Sequence, residues 1–362
     1  MVVIGASHMT RKTRYFMAGS AAIIVAGLCT GLVAYYGGGF PSLSASRSGP
    51  AELSYVPPDA TVVAFANVQE IMASQLRQRL KAALPNENGQ QEFEKETGID
   101  IEHDIQYVVA AMTTPSANGS QNTPNGLVVA RGQFNTTQLE VLARDHGGVV
   151  EEYKGKRLVR VPDTAHNSGQ TAVLAFLEPG LVAIGSEPAI KSSIDAQLSA
   201  QSITSNSDMM ELVSEIDSGN NAWAVGRFDA LANQAKLPSD ISSKLPAVKT
   251  FAVMTHINGG ISGTLRAEAR DAQSAENLRQ VVQGGLALGR MSNDPKATAL
   301  LNSVQLSGTG TTVALSFSIP TEVLDMLPMT GLKKGDPNGG HDHPHQLPKE
   351  LHDLKDLKTP GK

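Results

Sequence analysis

The chain has 362 residues, 41% of them hydrophobic and 18% charged, with a formal net charge of −5. Its body carries no long basic run, which argues against a nucleic-acid partner because phosphate binding needs clustered Lys and Arg. With 1 cysteine and 4% aromatic residues, the chain has no intramolecular disulfide, and aromatic-lined sugar clefts and stacking platforms are disfavoured.

Residues 15–36 read YFMAGSAAIIVAGLCTGLVAYY, without charge or proline. About 20 such residues cross a bilayer as a helix. The flanking charge is basic only before this segment, where residues 1–14 include Arg11, Lys12 and Arg14. The asymmetry predicts a single-pass anchor with a cytoplasmic N-terminus and an extracytoplasmic body. A cleaved signal peptide is the alternative, although its apolar region usually runs only about 7–15 residues.

Small residues recur along the predicted membrane helix, and Gly27 and Gly31 form a GxxxG pair. Such a face lets two helices approach closely and offers a route to a homodimer, while small residues are also common in any membrane helix. Cys29 follows Leu28, whereas a bacterial lipoprotein signal needs a small residue before its cysteine. The cysteine is therefore interpreted as a membrane-buried free thiol.

Residues 37–54 form a predicted Gly/Ser/Pro linker. Residues 55–205 are predicted to form a first half that opens with a buried strand at 61–67 and a helix at 68–84, ended by Pro85 and a polar run. Further predicted elements are strands at 105–112 and 127–134, a helix at 135–145 capped by Asn135, two hairpins at 149–161 and 172–186, and a helix at 188–198. The Ser/Thr/Asn stretch at 202–207 is interpreted as a boundary.

Residues 206–330 are predicted to repeat this order in a second half. NAWAVGR at 221–227 leads into FDAL as TVVAFAN at 61–67 leads into VQEIM. Later elements are a hairpin around Asn258-Gly259-Gly260, a helix at 272–290, a hairpin at 304–319 and a short helix at 321–327. Strand–helix–strand–strand–helix thus appears twice, which predicts two related halves. The hairpins imply antiparallel pairing, so the predicted fold class is α+β, with antiparallel sheets and flanking helices after the membrane helix.

Gly, Pro, His and mixed charge dominate residues 331–362, which predicts a flexible, disordered tail. His341, His343 and His345 alternate within it and are candidate ligands for Zn, Ni or Cu, with a solvated tail as the alternative.

Sequence motifs for cofactor or catalytic chemistry were sought along the body. There is no GxxxxGK[ST], GxSxG or HExxH string. Gly308-Thr309-Gly310 begins a glycine-rich string, but a strand pattern follows it where a dinucleotide site needs a helix. These glycines are interpreted as a hairpin turn, and no cofactor is predicted.

Charged and polar groups suggest a few further candidates. Asp100, Glu102 and Asp104 alternate, which would suit Ca²⁺ binding or general acid work, although a solvated turn is favoured. The histidines of the body, His103, His146 and His256, are scattered and interpreted as packed or surface residues. Glu151 and Glu152 precede a hairpin that contains Lys154, Lys156 and Arg157, which predicts cross-strand charge pairing. Asn118 and Asn135 match glycosylation triplets.

The opening of the body, YVPPDATVVAF at residues 55–65, resembles a class of uncharacterised bacterial envelope proteins. Those proteins have an N-terminal membrane segment, a short linker and a Pro-x-Asp-Ala sequence that enters the first strand. GRFDAL at 226–231 is similar to a second copy of the strand end that leads into a helix. The resemblance implies architecture and an envelope location, and it implies no activity or catalytic residues.

The functional prediction rests on this architecture and on the lack of a convergent polar signature. The protein is predicted to be a membrane-anchored, non-enzymatic binding or assembly module of the cell envelope, with an envelope protein as its partner. A binder of a hydrophobic ligand is the first alternative, since curved antiparallel sheets can enclose an apolar cavity. A hydrolase without a recognisable motif is the second.

Overall fold

A computed structural model describes residues 49–83, 88–113, 125–162, 171–228, 248–291 and 295–320. All of them belong to one compact unit. The predicted membrane segment at 15–36, Asn118, most of the predicted linker and the tail at 331–362 lie outside these residues. None of the helices described in the body combines the length and apolar character needed to cross a bilayer.

Strands provide most of the framework. In chain order they are β1 (Ala60–Asn67), β2 (Ile105–Thr113), β3 (Asn125–Gly132), β4 (Val149–Tyr153), β5 (Lys156–Pro162), β6 (Thr171–Glu178), β7 (Leu181–Ser186), β8 (Ala222–Arg227), β9 (Val248–Ile257), β10 (Gly260–Ala269), β11 (Gln305–Ser307) and β12 (Thr312–Pro320).

Helices lie between and after the strands. The α-helices are α1 (Val68–Met72), α2 (Gln75–Ala83), α3 (Asn88–Thr97), α4 (Ile101–Asp104), α5 (Thr136–Asp145), α6 (Glu187–Ser199), α7 (Ser207–Ser214), α8 (Ala272–Arg290) and α9 (Pro295–Asn302), and the 3-10 helices are Ala51–Tyr55 and Ile203–Ser205.

Several helices begin where a short polar side chain satisfies a free backbone N–H of the first turn. Asn67 accepts from the N–H of Glu70 at 3.0 Å and so starts α1 directly at the end of β1. Asn135 accepts from Gln138 at 3.1 Å, which confirms its predicted cap. Asp271 caps α8, whose bounds match the predicted helix at 272–290.

All strands pair antiparallel in one twelve-stranded sheet of order β11-β12-β10-β9-β8-β1-β2-β3-β7-β6-β5-β4. From the central β1–β8 pair outward, β1-β2-β3-β7-β6 on one side corresponds in order to β8-β9-β10-β12-β11 on the other. The hairpin β4–β5 extends only the first side. The α+β class with antiparallel pairing is therefore confirmed. The prediction named antiparallel sheets in the plural, and the described strands instead form one sheet, because β1 pairs with β8.

The two faces of the sheet are named here by their central residues. Face A is the side of Val63 and Val225, and face B is the side of Ala64 and Ala224. On face A, the two 3-10 helices, α6 and α7 pack over an apolar core that includes Leu53, Ile190, Ile203 and Met209. Face B carries α1 and α2 through Ile71 and Leu76, and α8 through Ala275.

One apolar side chain from every strand lies in a single row across face B, because the ladder registers are continuous. The row is Val150, Val159, Leu174, Ile184, Val128, Ala110, Ala64, Ala224, Val253, Leu265, Leu315 and Leu306. The centre of the row is small and buried, with Ala64 at 3% and Ala224 at 1% exposure. Larger side chains occupy both flanks.

Element boundaries differ from the predictions in places. The body begins inside the predicted linker 37–54, because Glu52 and Leu53 are buried in the first 3-10 helix. The stretch at 202–207 is packed, since the N–H of Ile203 donates to the carbonyl of Val56 at 2.8 Å. The predicted helix at 68–84 is split into α1 and α2, and a helix, α3, includes part of the polar run.

Candidate interaction surface

The alternating carboxylates at 100–104 serve a helix start and do not form a shared acidic face. Asp100 accepts from the N–H of Glu102 at 2.8 Å and lies 2.5 Å from Nδ1 of His103. Asp104 accepts from the N–H of Asp100 at 2.8 Å. Burial acts to raise the pKa of Asp100, but the bonds from His103 and the backbone outweigh it and hold that pKa low.

Glu102 belongs to a separate, largely buried charge network. Arg77, whose side chain is 5% exposed, donates to Glu102 at 2.7 Å and to Gln90 at 3.0 Å. Lys81 lies 2.8 Å from the other carboxylate oxygen. Burial favours a higher pKa for Glu102, and the bond from Lys81 with the charge of Arg77 reverses this, so its pKa is lowered. The network connects α2 to α4. Its charged groups pair with one another and leave none directed at a ligand.

A second network fixes the start of the body to the sheet. Arg131 on β3 donates to buried Glu52, and its guanidinium lies 3.7 Å from Glu178. Tyr55, 3% exposed, donates to Glu178 at 2.5 Å. Burial, followed by the bond to Glu178, raises the pKa of Tyr55 above its ordinary value. These bonds hold the first 3-10 helix against the ends of β3 and β6.

A third network joins the β4–β5 hairpin to α6. The hydroxyl of Tyr153 lies 3.1 Å from both oxygens of Asp195. Lys154 and Lys191 lie 5.5 and 5.4 Å from the centre of the Tyr153 ring. The expected charge pairing of the hairpin takes a different form, since Glu151 pairs with Arg160 at 3.0 Å. The network holds the β4–β5 hairpin against α6, and its charges neutralise one another.

The histidines of the body are dispersed. His146 ends α5, with Nδ1 2.7 Å from the carbonyl of Leu142. His256 lies on β9 opposite Ser262. In the part of the chain that the structure describes, no three His, Cys, Asp or Glu side chains gather as metal ligands. His341, His343 and His345 lie outside those residues.

Asn221, which the sequence analysis missed as an important residue, is 1% exposed at the start of β8. Its amide exchanges two hydrogen bonds with the backbone of Ile257, at 2.8 and 3.0 Å. Its N–H₂ also lies 3.5 Å from Glu70, which Asn67 contacts at 2.9 Å. The side chain thus locks β8 to β9 and to the β1–α1 junction, and its role is structural.

An open depression of about 400 Å³ lies on the β4–β5 hairpin, lined by Val150, Glu151, Glu152, Gly155 and Arg157. Its lining is mainly polar or charged. Such a surface does not suit an apolar ligand, which needs concave walls of hydrophobic and aromatic side chains.

Most of the large apolar side chains that are exposed in the described residues lie on face B and its helices, whereas Val149 of β4 and Leu198 of α6 lie toward face A. Ile184 is 47% exposed and Leu265 is 41% exposed, on opposite flanks of the apolar row. The helices over this face add Val141 of α5 and a stripe along α8. We name this set the face B surface: Val141, Ile184, Leu265, Val281, Leu288 and Met291.

Ile184 and Leu265 lie at different positions of the apolar row, Ile184 on the fourth strand of one side counted from the central pair and Leu265 on the third strand of the other side. Ile184 pairs with Val128 on β3, and Leu265 pairs with Leu315 on β12. Since β3 and β7 correspond in order to β10 and β12, Leu265 corresponds to Val128 and Ile184 corresponds to Leu315. Single exposed apolar residues are ordinary, but a set on one side of a molecule is typical of an interaction surface.

No residue of the face B surface is indicated by a sequence motif. Residues 181–186, LVAIGS, are apolar throughout most of the strand, and such a run cannot be distinguished from a fully buried strand by pattern alone. The sequence did not indicate that the apolar residues along α8 are exposed, because apolar residues on a helix are first assigned to the core.

No family model matches this chain, and comparisons with curated proteins and with solved structures gave no match either.

Proposed function

We propose that this protein is a non-enzymatic binding or assembly module that presents face B of its sheet to a protein partner. The observation that carries the proposal is the face B surface, in which exposed Ile184 and Leu265 flank a buried row of alanines. A partner with a matching apolar face would remove these side chains from water, at about 25 cal/mol for each Å² of apolar area buried. Partially exposed apolar residues around a well-packed centre are common in protein interfaces.

The location of the module is proposed from the sequence. The apolar sequence of residues 15–36 favours a location in the cell membrane, and Arg11, Lys12 and Arg14 favour a cytoplasmic N-terminus with the body outside. Gly27 and Gly31 would let two anchors pack closely as a homodimer. The resemblance of residues 55–65 to bacterial envelope proteins supports an envelope partner.

We infer in addition that the two halves, residues 55–205 and 206–330, are related units. The shared strand order on the two sides of the β1–β8 pair supports this inference. So does the position of α5 and α8, each of which follows the third strand of its half and precedes the return hairpin.

The alternative functions receive less support from the described residues. A carrier of a hydrophobic ligand needs an apolar cavity, and the depression on the β4–β5 hairpin is open and polar. A hydrolase needs a nucleophile or base aimed at substrate. The perturbed carboxylates at Asp100 and Glu102 are instead bonded within their own networks.

Site-specific photocrosslinking in the native membrane tests the proposal. A photoreactive amino acid is placed at Ile184, at Leu265, or at Leu198, an exposed leucine on α6 over face A. We expect the same discrete adduct from the first two positions and none from the third. Ile184→Glu should also abolish the adduct formed at Leu265, because one partner would cover both positions.

Equal labelling from Leu198 would show that exposure alone determines capture and would contradict the proposal. An adduct at Leu265 that survives Ile184→Glu would show that the two positions do not share a partner. Thermal unfolding of each variant confirms that the body is folded.

A further inference from the structure

The two edges of the sheet differ in what they leave unpaired. The sheet ends in β11, which has 3 residues, at one side. It ends in β4, which has 5 residues, at the other side. An edge strand leaves backbone N–H and C=O groups available for another strand. In the described chain β4 pairs with β5 alone. At the other side β11 covers only Ala314–Ser316 of β12, so β4 is the longer of the two terminal strands.

The turn of the hairpin determines which backbone groups of β4 face outward. Lys154 and Gly155, with φ of 48° and 77°, form the two-residue connection, and two positive φ values indicate a type I′ turn. The flanking pair, Tyr153 and Lys156, therefore exchanges hydrogen bonds between the strands. Because the register of β4 with β5 is unbroken, inward and outward groups alternate along it. The N–H and C=O groups of Val150 and Glu152 therefore point to the open edge.

These same two residues are among those that line the depression on the hairpin, together with Glu151, Gly155 and Arg157. Val150 and Glu152 lie on face B with Arg157, and all three border the open volume of about 400 Å³. The edge thus offers backbone groups for a ladder together with a recess for one side chain of an added strand. Strand-addition sites combine these two features, with the ladder giving affinity and the recess giving specificity.

The charges of the hairpin leave Glu152 available. Arg157 lies directly opposite Glu152 in the ladder, but its guanidinium bonds to Glu140 on α5 at 2.8 Å. Glu151, on the other face, pairs with Arg160. Glu152 is exposed and forms no ion pair within the described residues. A basic side chain on an added strand would form an ion pair with Glu152.

A second copy of the chain fits the edge poorly. When two β4 strands overlap fully in antiparallel fashion, with Val150 opposite Glu152, the two copies of Glu151 stand directly opposite each other. Like charges directly across a ladder are destabilising. Charge therefore selects a different occupant.

We propose that β4 accepts an extended peptide segment of a partner protein as a thirteenth strand, with a Lys or Arg of that segment over face B against Glu152. The site is separate from the face B surface in its residues and chemistry. It uses main-chain hydrogen bonds and one charge, whereas the face B surface uses apolar burial. The strand-addition site and the face B surface can therefore be tested separately, and a negative result for one does not contradict the other.

The experiment uses the full-length chain in detergent and a fluorescent cyclic β-hairpin peptide, which is already ordered as a strand and so pays less entropy on binding. Its outer strand alternates valine and threonine around one central lysine. We expect saturable binding by fluorescence anisotropy. Replacing the central lysine by glutamate, or methylating the outward amides, should weaken binding by about tenfold.

Two protein variants test the site itself. Glu152→Lys should reverse the preference, so that the glutamate peptide binds more tightly than the lysine peptide. Glu152→Pro should weaken both, because proline removes an outward N–H while leaving the β4–β5 bonds in place. Glu211→Lys, the same charge change at an exposed position on α7, is the matched control and should bind as the parent does.

Absence of binding to the parent protein, or binding that resists amide methylation, would overturn the proposal. If Glu211→Lys also lost the preference for the lysine peptide, the preference would depend on the net charge of the protein and not on Glu152. That result would overturn the proposal too. A concentration-dependent dimer that Glu152→Pro abolishes would show that a second copy occupies the edge and would contradict the assigned partner. Circular dichroism of each variant checks that the sheet is intact.

Discussion

Ala64 and Ala224 are direct ladder partners at the centre of the sheet. They are also the middle residues of TVVAFAN and NAWAVGR, the two segments that the sequence aligns with each other. Two antiparallel strands that pair through corresponding residues are related by a local two-fold axis between them. The strand orders then correspond on both sides of this axis as far as β6 and β11, and the β4–β5 hairpin extends one side only.

Leucine at either central alanine should destabilise the protein to a similar extent. Ala64 and Ala224 are buried on face B, and Ala64→Leu and Ala224→Leu would each overpack that layer. We expect each to lower the free energy of unfolding by about 1–3 kcal/mol in urea titrations. Ile184→Leu, at an exposed position of the same row, is the control and should change stability by less than about 0.5 kcal/mol. A large effect at only one alanine would show that the two sites are not equivalent.

Local signals made much of this fold predictable. Asn258-Gly259-Gly260 between two apolar segments predicted the β9–β10 hairpin, and the helix predicted at 272–290 is α8. The polar helix α3, NGQQEFEKET, lacks a clear apolar stripe, so its sequence resembled a loop. These successes and failures concern contacts within a few residues of one another.

The single sheet and the face B surface depend on distant contacts. Pairing of β1 with β8 joins residues from opposite halves of the chain, and no turn or spacing in the sequence specifies it. Likewise, Ile184 and Leu265 show their exposure only after the neighbouring strands and helices are placed. For Asp100, Glu102 and Asp104 a solvated turn was favoured over a cation site, and the short helix α4 directs these carboxylates toward different partners.

Glu102→Gln should remove part of the acid sensitivity of the protein. The pKa of Glu102 is lowered in the folded state, so its contribution is complete above the pKa of an unfolded glutamate, about 4.3. That contribution is lost as the pH falls through the lower folded value. Near pH 7 we expect Glu102→Gln to cost about 1–3 kcal/mol, because the bonds to Arg77 and Lys81 are charge-assisted.

The difference between parent and Glu102→Gln should therefore shrink as the pH is lowered below about 4. Urea unfolding at a series of pH values measures it. Glu152→Gln, an exposed carboxylate on the hairpin, is the matched control and should leave stability within about 0.5 kcal/mol. A pH-independent difference for Glu102→Gln would show that packing, not charge, determines the effect of that substitution.

The membrane topology proposed from Arg11, Lys12 and Arg14 predicts the behaviour of reporter fusions after Pro328. A reporter that is active only outside the cytoplasm should be active there, and a reporter that is active only in the cytoplasm should be silent. Replacing the three basic residues by glutamate and adding lysines after residue 36 should invert or mix the orientation. Cytoplasmic reporter activity in the parent fusion would rule out the proposed orientation.

Tyr55→Phe should weaken the attachment of the first 3-10 helix to the sheet. The substitution keeps the buried ring and removes the hydroxyl that bonds to Glu178. Since Glu178 is 41% exposed and near Arg131, water can solvate it in the variant. We therefore expect a loss of only about 1 kcal/mol at neutral pH.

The alkaline behaviour of Tyr55→Phe distinguishes a buried hydroxyl from a simple packing effect. Burial and the bond to Glu178 raise the folded pKa of Tyr55, so its stabilisation is complete below the unfolded value of about 10. It is lost as the pH rises from there through the folded value. The difference in stability between parent and variant should narrow above pH 10 in unfolding titrations, and tyrosinate absorbance should show one fewer late-titrating tyrosine in the variant.

Tyr153→Phe, which removes a hydroxyl bonded to half-exposed Asp195, is the control and should lower stability less at neutral pH. If the Tyr55→Phe gap stays constant across this range, the hydroxyl does not couple to Glu178 and the network does not hold the start of the body.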